Sequence, residues 1–192
     1  MSHGLVIHVH LHEGRYHGEG DWPPCPARLF QALVAAAGLN GTLASVRRSL
    51  EWLQLQPAPV IGAPRARRVS DRERVMFYMP NNDLDAVQGD PRRIAEIRSA
   101  RKVFQPYLFD TNVPFLYAWS PIAEEDRPHA EAICLLADLI YQFGRGIDMA
   151  WARGDVLDAS ETEPLLAEYP GKIFRPSNGG AGGSRLLCPQ GG

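Results

Sequence analysis

Hydrophobic and polar residues alternate over residues 5–11 of this chain. In an extended backbone one side would carry Leu5, Ile7, Val9 and Leu11. The other side would carry Val6, His8 and His10, and His12 continues it. A period of two is typical of a strand with one buried face. The pattern therefore predicts an N-terminal strand that contributes its aliphatic side to the core.

The next apolar residues recur at helical spacing instead. Residues 26–37 carry one apolar stripe, with Pro26 near the first turn and Gly38 able to cap the end. A second stripe covers residues 43–53 and ends before Pro57, and Val60 and Ile61 suggest another strand. We therefore predict the order strand, helix, helix, strand for the first third of the chain.

The C-terminal part repeats this alternation of elements. Residues 115–119 are aromatic and strand-like, and Asp126 can cap a helix that we expect to end at Gly144. Residues 147–153 alternate again, with Ile147, Met149 and Trp151 on one side. This order predicts an α+β fold, a ferredoxin-like or RRM-like sandwich, with a long insertion. We expect one domain over residues 1–170 and a Gly-rich tail over 171–192.

Composition narrows the class of protein without naming a function. The 192 residues are 45% hydrophobic and 22% charged, which excludes collagen, coiled-coil rods and wholesale disorder. The longest apolar stretch, over residues 133–141, is interrupted by Asp138 and is too short to span a bilayer. Three widely spaced cysteines offer neither a disulfide framework nor a four-cysteine zinc site. We therefore expect a cytoplasmic protein with no membrane partner and no cofactor.

The net charge is only −2, so a signal for nucleic-acid binding must come from the local distribution of charge. Residues 63–112 contain 10 Arg or Lys against 7 Asp or Glu, and the residues after them contain 6 against 11. This insertion carries two basic runs around a candidate strand at residues 75–79, and the basic residues of interest are Arg65, Arg67, Arg68, Arg101 and Lys102. Guanidinium groups grip phosphates and stack on bases, so a thumb-like arm that binds single-stranded nucleic acid is one interpretation. A solvated, salt-bridged surface is the alternative.

A second candidate site lies in the Gly-rich turn between the first strand and helix. The turn holds Arg15, Tyr16 and His17, and Arg28 follows in the first turn of the predicted helix. A helix N-terminus has free N–H groups and partial positive charge, so a phosphate could bind there between Arg15 and Arg28. The competing interpretation is that the glycines only shape a turn and that Arg28 faces solvent.

The histidine row and His17 leave four further interpretations open. His8, His10 and His12 could bind a metal, form a solvated sheet face, or contact RNA across an open sheet. His17, with Tyr16 or a lysine, could support metal-independent RNA cleavage. The usual motifs of hydrolases, P-loop proteins and zinc proteases are absent from the sequence. We predict no catalytic and no metal-binding residues.

Several segments together resemble a known family. They read LVIHVHLHEGRYHG, DWPPCPARLFQALVAA, LEWLQLQPAPVIGAP, LIYQFGRG and EYPGKIFRP. They resemble the CRISPR-associated type I-G (formerly I-U) RAMP fusion protein of the Csb-two type, with a Cas-five-like N-terminal half and a Cas-six-like processing half. The resemblance covers nearly the whole chain, and its most specific part is the run WPPCPARLFQAL with the preceding GRYHG.

The resemblance implies a ferredoxin-like RAMP domain with a protruding thumb. It implies binding to the 5′ handle of a crRNA within a Cascade complex, beside backbone and large subunits, and leaves target DNA as a further contact through that complex. It carries RNA binding to Arg15, Tyr16, His17, Arg28 and Arg145, and implies that endoribonuclease activity belongs to a C-terminal half that is absent after residue 192.

The sequence is therefore consistent with four functions. The favoured one is a non-catalytic crRNA-binding subunit, and the main alternative is a metal-independent endoribonuclease that processes pre-crRNA repeats. The others are a metal-dependent hydrolase and a small-ligand-binding domain.

Overall fold

The alternating N-terminal segment forms a strand inside a five-stranded antiparallel sheet, with the order β10-β3-β8-β1-β9. A computed structural model describes residues 2–18, 22–78, 92, 101–177 and 185–189. The strands are β1 (His3–Leu11), β2 (Arg15–Tyr16), β3 (Val60–Ala63), β4 (Ala66–Arg68), β5 (Val75–Tyr78), β6 (Arg101–Phe104), β7 (Tyr107–Phe109), β8 (Phe115–Ile122), β9 (Ala150–Asp158) and β10 (Lys172–Phe174). The helices are α1 (Pro26–Leu39), α2 (Leu43–Leu55), α3 (Arg127–Ala137) and α4 (Ala159–Ala167), with a 3₁₀ turn at Glu124–Asp126.

The connectivity of this sheet is that of a ferredoxin-like fold. The chain runs β1, α1 and α2, β3, then β8, α3 and β9, and the strands lie in the order β3, β8, β1, β9 with antiparallel pairing. These are two strand–helix–strand units in one sheet, with the insertion between them. The predicted α+β, ferredoxin-like fold is confirmed.

One face of the sheet packs against α1, α2 and α3. The aliphatic side of β1 is fully or almost fully buried there, as its alternation predicts, together with Leu29, Leu33 and Ile133 from the helices. Most of the buried apolar side chains lie on this face, so it accounts for most of the core. Burying one such side chain is worth about 1.5–3 kcal/mol. We call it the inner face of the main sheet.

The opposite, outer face is covered in part by a helix that the sequence analysis did not identify. Helix α4 brings Leu166 onto Val6, Leu116 and Ala118. Its N-terminus has a capping box in which Asp158 caps the first turn and Glu161 bonds back to the Asp158 N–H. The sheet is therefore buried on both sides at this end.

The insertion contributes strands to two smaller sheets. Strands β2, β7 and β4 make a three-stranded antiparallel sheet, and β5 pairs antiparallel with β6. The first of these joins the Gly-rich turn to the basic insertion, two regions that the sequence analysis treated separately.

Three predicted boundaries differ from the structure. Helix α3 ends at Ala137 rather than near Gly144, because the chain turns at Asp138 and continues into the core as irregular backbone through buried Ile140 and Phe143. The last predicted strand lies later, at Ala150–Asp158, and residues 172–174 pair with β3 although the predicted tail includes them.

Candidate nucleic-acid interface

The three-stranded sheet brings two predicted RNA-binding arginines onto one face. Arg15 of β2 pairs with Leu108 of β7, and Leu108 pairs in turn with Arg67 of β4. Residues in register across neighbouring strands point to the same side, so both guanidinium groups rise from the same face. We call this the arginine face, defined by Arg15, Leu108 and Arg67.

Further arginines border the arginine face. Arg65 precedes Arg67 by two residues, and Arg72 and Arg74 lie in the turn that leads to β5; all are exposed. Arg68 is also exposed, but it is in register with Tyr107 and therefore lies on the opposite side of the small sheet, with its guanidinium 5.8 Å from the centre of the Tyr107 ring. Arg101 and Lys102 belong to β6, but their side chains lie outside the described part of the structure.

The acidic side chains that pair with Arg15 and Arg67 are exposed, so these ion pairs are weak. Arg15 contacts Glu13, and Arg67 Nη1 donates to Glu73 Oε2 over 2.6 Å. The Arg67 hydrogen bond, with help from Ser70, lowers the pKa of the Glu73 carboxyl. Exposed ion pairs contribute little free energy, so a phosphate can replace these carboxylates at low cost.

The other side of the small sheet is attached to the core by aromatic rings. Tyr16 and Tyr107 share this side, and Trp22 stacks on Tyr107 with ring centres 4.7 Å apart. Phe109 meets Phe115 of the main sheet edge-on at 5.2 Å. These contacts hold the arginine face rigidly against the domain.

Tyr16 itself is a core residue, which corrects the prediction that it contacts RNA. Its side chain is 1% exposed, and burial raises the pKa of its hydroxyl to about 12. The Tyr16 ring faces Phe115 and Phe143 at 6.3 and 6.4 Å. A ring in this position cannot stack on a base.

His17 is likewise held inside the fold. Its ring Nδ1 lies 2.6 Å from Asp148 Oδ1, and its backbone N–H donates to Asp148 Oδ2 over 3.2 Å. The Arg145 N–H donates to the same oxygen over 3.0 Å. Since the His17 side chain is 7% exposed and that of Asp148 is 1% exposed, the pair joins the GRYHG and FGRG segments rather than presenting an imidazole to RNA.

Gly144 makes this junction possible. It has φ +123°, and a Cβ there would lie 2.5 Å from Asp148 Oδ2 and 3.1 Å from the Tyr16 ring. We call Tyr16, His17, Gly144 and Asp148 the Asp148 cluster. Asp148 could not be identified from the sequence pattern; its only local signal is its position three residues after Arg145, where its N–H closes a turn on the Arg145 carbonyl over 2.8 Å.

At the start of α1, Leu187 of the C-terminal segment occupies part of the predicted anion site. Pro26 has no N–H, and the Ala27 N–H donates to the Leu187 carbonyl over 3.0 Å. Arg28 points to the Tyr16 hydroxyl and to a cavity of about 210 Å³, where its buried Nε has no hydrogen-bond partner among the described residues. Arg15 and Tyr16 point to opposite sides of β2, so the structure does not bring Arg15 and Arg28 together.

Neither metal binding nor membrane insertion gains support from the described residues. Among them, no group of three or more His, Cys, Asp or Glu side chains is close enough to hold a metal ion. Within the same residues, no helix has the length and apolarity that crossing a bilayer requires.

Comparisons with known proteins identify the family. The family model described as CRISPR-associated protein, GSU0054 family, matches residues 2–192. No curated protein matches the chain significantly. A solved CRISPR protein from Archaeoglobus fulgidus is similar with a TM-score of 0.43 and 10% identity, over 80% of this chain and 61% of that one. Because the family model covers nearly all of the sequence, the chain belongs to the GSU0054 family of CRISPR-associated proteins.

Proposed function

We propose that this chain is an RNA-binding subunit of a type I-G Cascade surveillance complex. In this role it holds the 5′ handle of the crRNA and helps backbone subunits to assemble on the guide. The observation that supports the proposal is the arginine face, where Arg15 from the family-like GRYHG segment lies in register with Arg67 from the basic insertion.

The geometry suits a phosphate backbone for three reasons. The arginine face is exposed, its guanidinium groups present paired donors, and its attachment through aromatic rings fixes their spacing. Binding would release counterions from the RNA, so the affinity should depend steeply on salt. Arg65, Arg72 and Arg74 are exposed in the segments next to β4 and add further positive charge near this surface.

The endoribonuclease alternative gains less support. The His17–Asp148 pair has the partners of a general-base dyad, but its imidazole is almost fully buried and lies among the residues that join two loops. An imidazole must reach the 2′-hydroxyl to activate it. We therefore propose no catalytic role for this chain.

The test measures RNA affinity over a range of salt concentrations. The probe is the RNA that co-purifies with the chain from a host expressing a matching CRISPR array. The double variant Arg15→Ala, Arg67→Ala should bind more weakly, and the slope of log affinity against log salt should fall by about one per lost phosphate contact.

The matched control is the double variant Arg47→Ala, Arg127→Ala. Both residues are exposed and each pairs with a glutamate four positions later, like the ion pairs of the arginine face, but they lie on α2 and α3. The control should leave both affinity and slope unchanged. Equal losses in the two double variants, or no RNA bound by the wild type, would reject the proposed function.

A further inference from the structure

Part of the outer face of the main sheet is not covered by α4. Beyond the Val6–Leu166 contact, the same side of β1 carries His8 and His10. They pair in register with Arg153 and Trp151 of β9, so four polar or aromatic side chains share this uncovered area. The histidine row of the sequence therefore belongs to an open sheet surface that the proposed function does not yet use.

The large apolar side chains of residues 147–151 point outward beside this uncovered area. Ile147, Met149 and Trp151 are 41%, 45% and 45% exposed, whereas Ala150 and Ala152 fill the core side. Large side chains occupy the exposed positions and small ones the buried positions, which is the reverse of what folding alone would favour. Such an arrangement indicates a binding surface.

Trp151 is already positioned as a flat platform. Its ring is stacked on His10, with centres 4.0 Å apart and an angle of 3° between the planes. Burial lowers the pKa of His10, although its ring donates a hydrogen bond to the backbone carbonyl of Thr111, so the imidazole is a neutral support at neutral pH. An indole held flat and partly exposed is suited to stacking on a planar ring.

A cleft of about 480 Å³ lies beside this platform, between the C-terminal end of α4 and strands β1 and β8. His8, Leu116 and Tyr169 line it, and the Tyr169 hydroxyl is held by the Pro114 carbonyl at 2.7 Å. The cleft is wide open to solvent, so a planar ring can enter it from the surface.

One polar atom in the cleft wall lacks a partner. His8 Nε2 is buried and has no hydrogen bond among the described residues; Asp155 Oδ2 lies 3.4 Å away but not in hydrogen-bond geometry. Burial and the nearby Arg153 charge lower the pKa of His8, so its ring is neutral at neutral pH. This nitrogen lies beside Asp155 and is closed off from the cleft, so His8 contributes an uncharged wall to it.

The chemistry of the cleft selects against phosphate. Its described lining includes the Asn112 amide and the Glu168 carboxylate but no arginine or lysine. A carboxylate repels a phosphate, yet accepts hydrogen bonds from the amino group of a nucleobase. Arg153, with 59% of its side chain exposed outside the cleft, is instead available to a phosphate.

This surface is continuous with the arginine face. The His12 N–H donates to the Met149 carbonyl over 3.1 Å, which joins the end of β1 to the exposed strip. A Cβ at Gly14 would lie 3.0 Å from Thr111 Cγ2, so the loop that leads to Arg15 packs on the residue that holds His10. These contacts connect the loop that carries Arg15 to the segment that carries Trp151.

From these observations we infer that the uncovered outer face is a base-binding surface for single-stranded RNA. Trp151 stacks on one base, and the cleft beside His8 receives a base that carries an amino group, with Glu168 as acceptor. The inference rests on the proposed function, because it extends the path of the same RNA, but it concerns bases rather than phosphates.

The experiment compares short oligocytidylate and oligouridylate strands with a sugar-phosphate strand that lacks bases. Trp151→Ala should weaken binding of oligocytidylate roughly tenfold without changing the salt slope, because stacking is largely independent of salt. Trp151→Phe should recover most of this loss, and Leu135→Ala, which alters an exposed residue on α3, should change nothing. Glu168→Gln should reduce the preference for oligocytidylate over oligouridylate.

The outcomes separate this inference from the proposed function. If the wild type binds RNA with a steep salt slope while Trp151→Ala binds as well as the wild type, the base-binding surface is rejected and the proposed function stands. Equal affinity for the strand without bases would reject it as well. If Arg15→Ala, Arg67→Ala changes nothing while Trp151→Ala weakens binding, the proposed arginine contact is rejected instead.

Discussion

The arginine face and the Asp148 cluster are built from neighbouring residues of one short strand, yet one is exposed and the other is buried. Arg15 points outward toward Arg67, and Tyr16, the next residue, points inward toward Gly144. Alternate side chains of a strand lie on opposite sides, so a two-residue strand can serve two purposes. The comparison teaches that neighbouring residues of the GRYHG segment have different structural roles, since Arg15 is exposed and Tyr16 belongs to the core.

The two regions differ in how much free energy is lost when one partner of a charged pair is removed. The ion pairs of the arginine face are exposed to water, which can replace either partner. The Asp148 carboxylate is surrounded by protein and accepts three hydrogen bonds from two loops. Losing a partner should therefore change binding in the first region and stability in the second.

The largest effect is expected from Asp148→Ala. This variant leaves the His17 ring, the His17 N–H and the Arg145 N–H without their acceptor, so the free energy of unfolding should fall by about 3 kcal/mol. Urea denaturation measures it. Asp148→Asn keeps one acceptor oxygen and should lose less, and Glu131→Ala, in an exposed pair on α3, should not change stability measurably. Comparable losses in Asp148→Ala and Glu131→Ala would mean that the Asp148 cluster is not structural.

A smaller loss is expected from Gly144→Ala. The new Cβ would overlap Asp148 Oδ2 and the residue would be strained at φ +123°, so the free energy of unfolding should fall by about 2 kcal/mol. Gly38→Ala is the matched control, because Gly38 lies in α1 with no atom within 4 Å of a new Cβ. The control should gain about 0.5–1 kcal/mol, since alanine favours a helix more than glycine does. The same urea titrations test both, and a stable Gly144→Ala protein would contradict the packing described here.

The elements that could be predicted from the sequence are those whose pattern is long and local. In β1 and α1, apolar residues recur at a fixed period along most of the element, so the buried face of each follows from the sequence alone. Strands β2, β4 and β7 have two or three residues each, which is too short for any period to be visible. Their pairing depends on contacts between distant segments, and the meeting of Arg15 with Arg67 therefore could not be predicted.

Two further features depend on which side of an element is buried. The alternation over residues 147–153 predicts that Ile147, Met149 and Trp151 share one side, but it does not say that this side is exposed; the core beside β1 has room only for Ala150 and Ala152. Helix α4 was missed because its apolar face is short and Pro164 lies inside it, although Asp158 and Glu161 carry a capping signal. In both places tertiary packing, rather than local pattern, decides which side is buried.

The smallest effect, and the sharpest test of the exposed region, is expected from Glu73→Gln. The hydrogen bond from Arg67, with those from Ser70, lowers the pKa of Glu73, so the carboxylate is fully charged at neutral pH and competes with phosphate for Arg67. Removing that charge should raise RNA affinity roughly two- to threefold at low salt, an advantage that disappears as salt screens the surface. The matched variant Glu131→Gln removes the partner of Arg127 on α3 and should leave RNA affinity unchanged. Filter binding at two salt concentrations measures both, and a decrease in affinity on losing the Glu73 charge would show that this carboxylate positions Arg67 for RNA rather than competing with it.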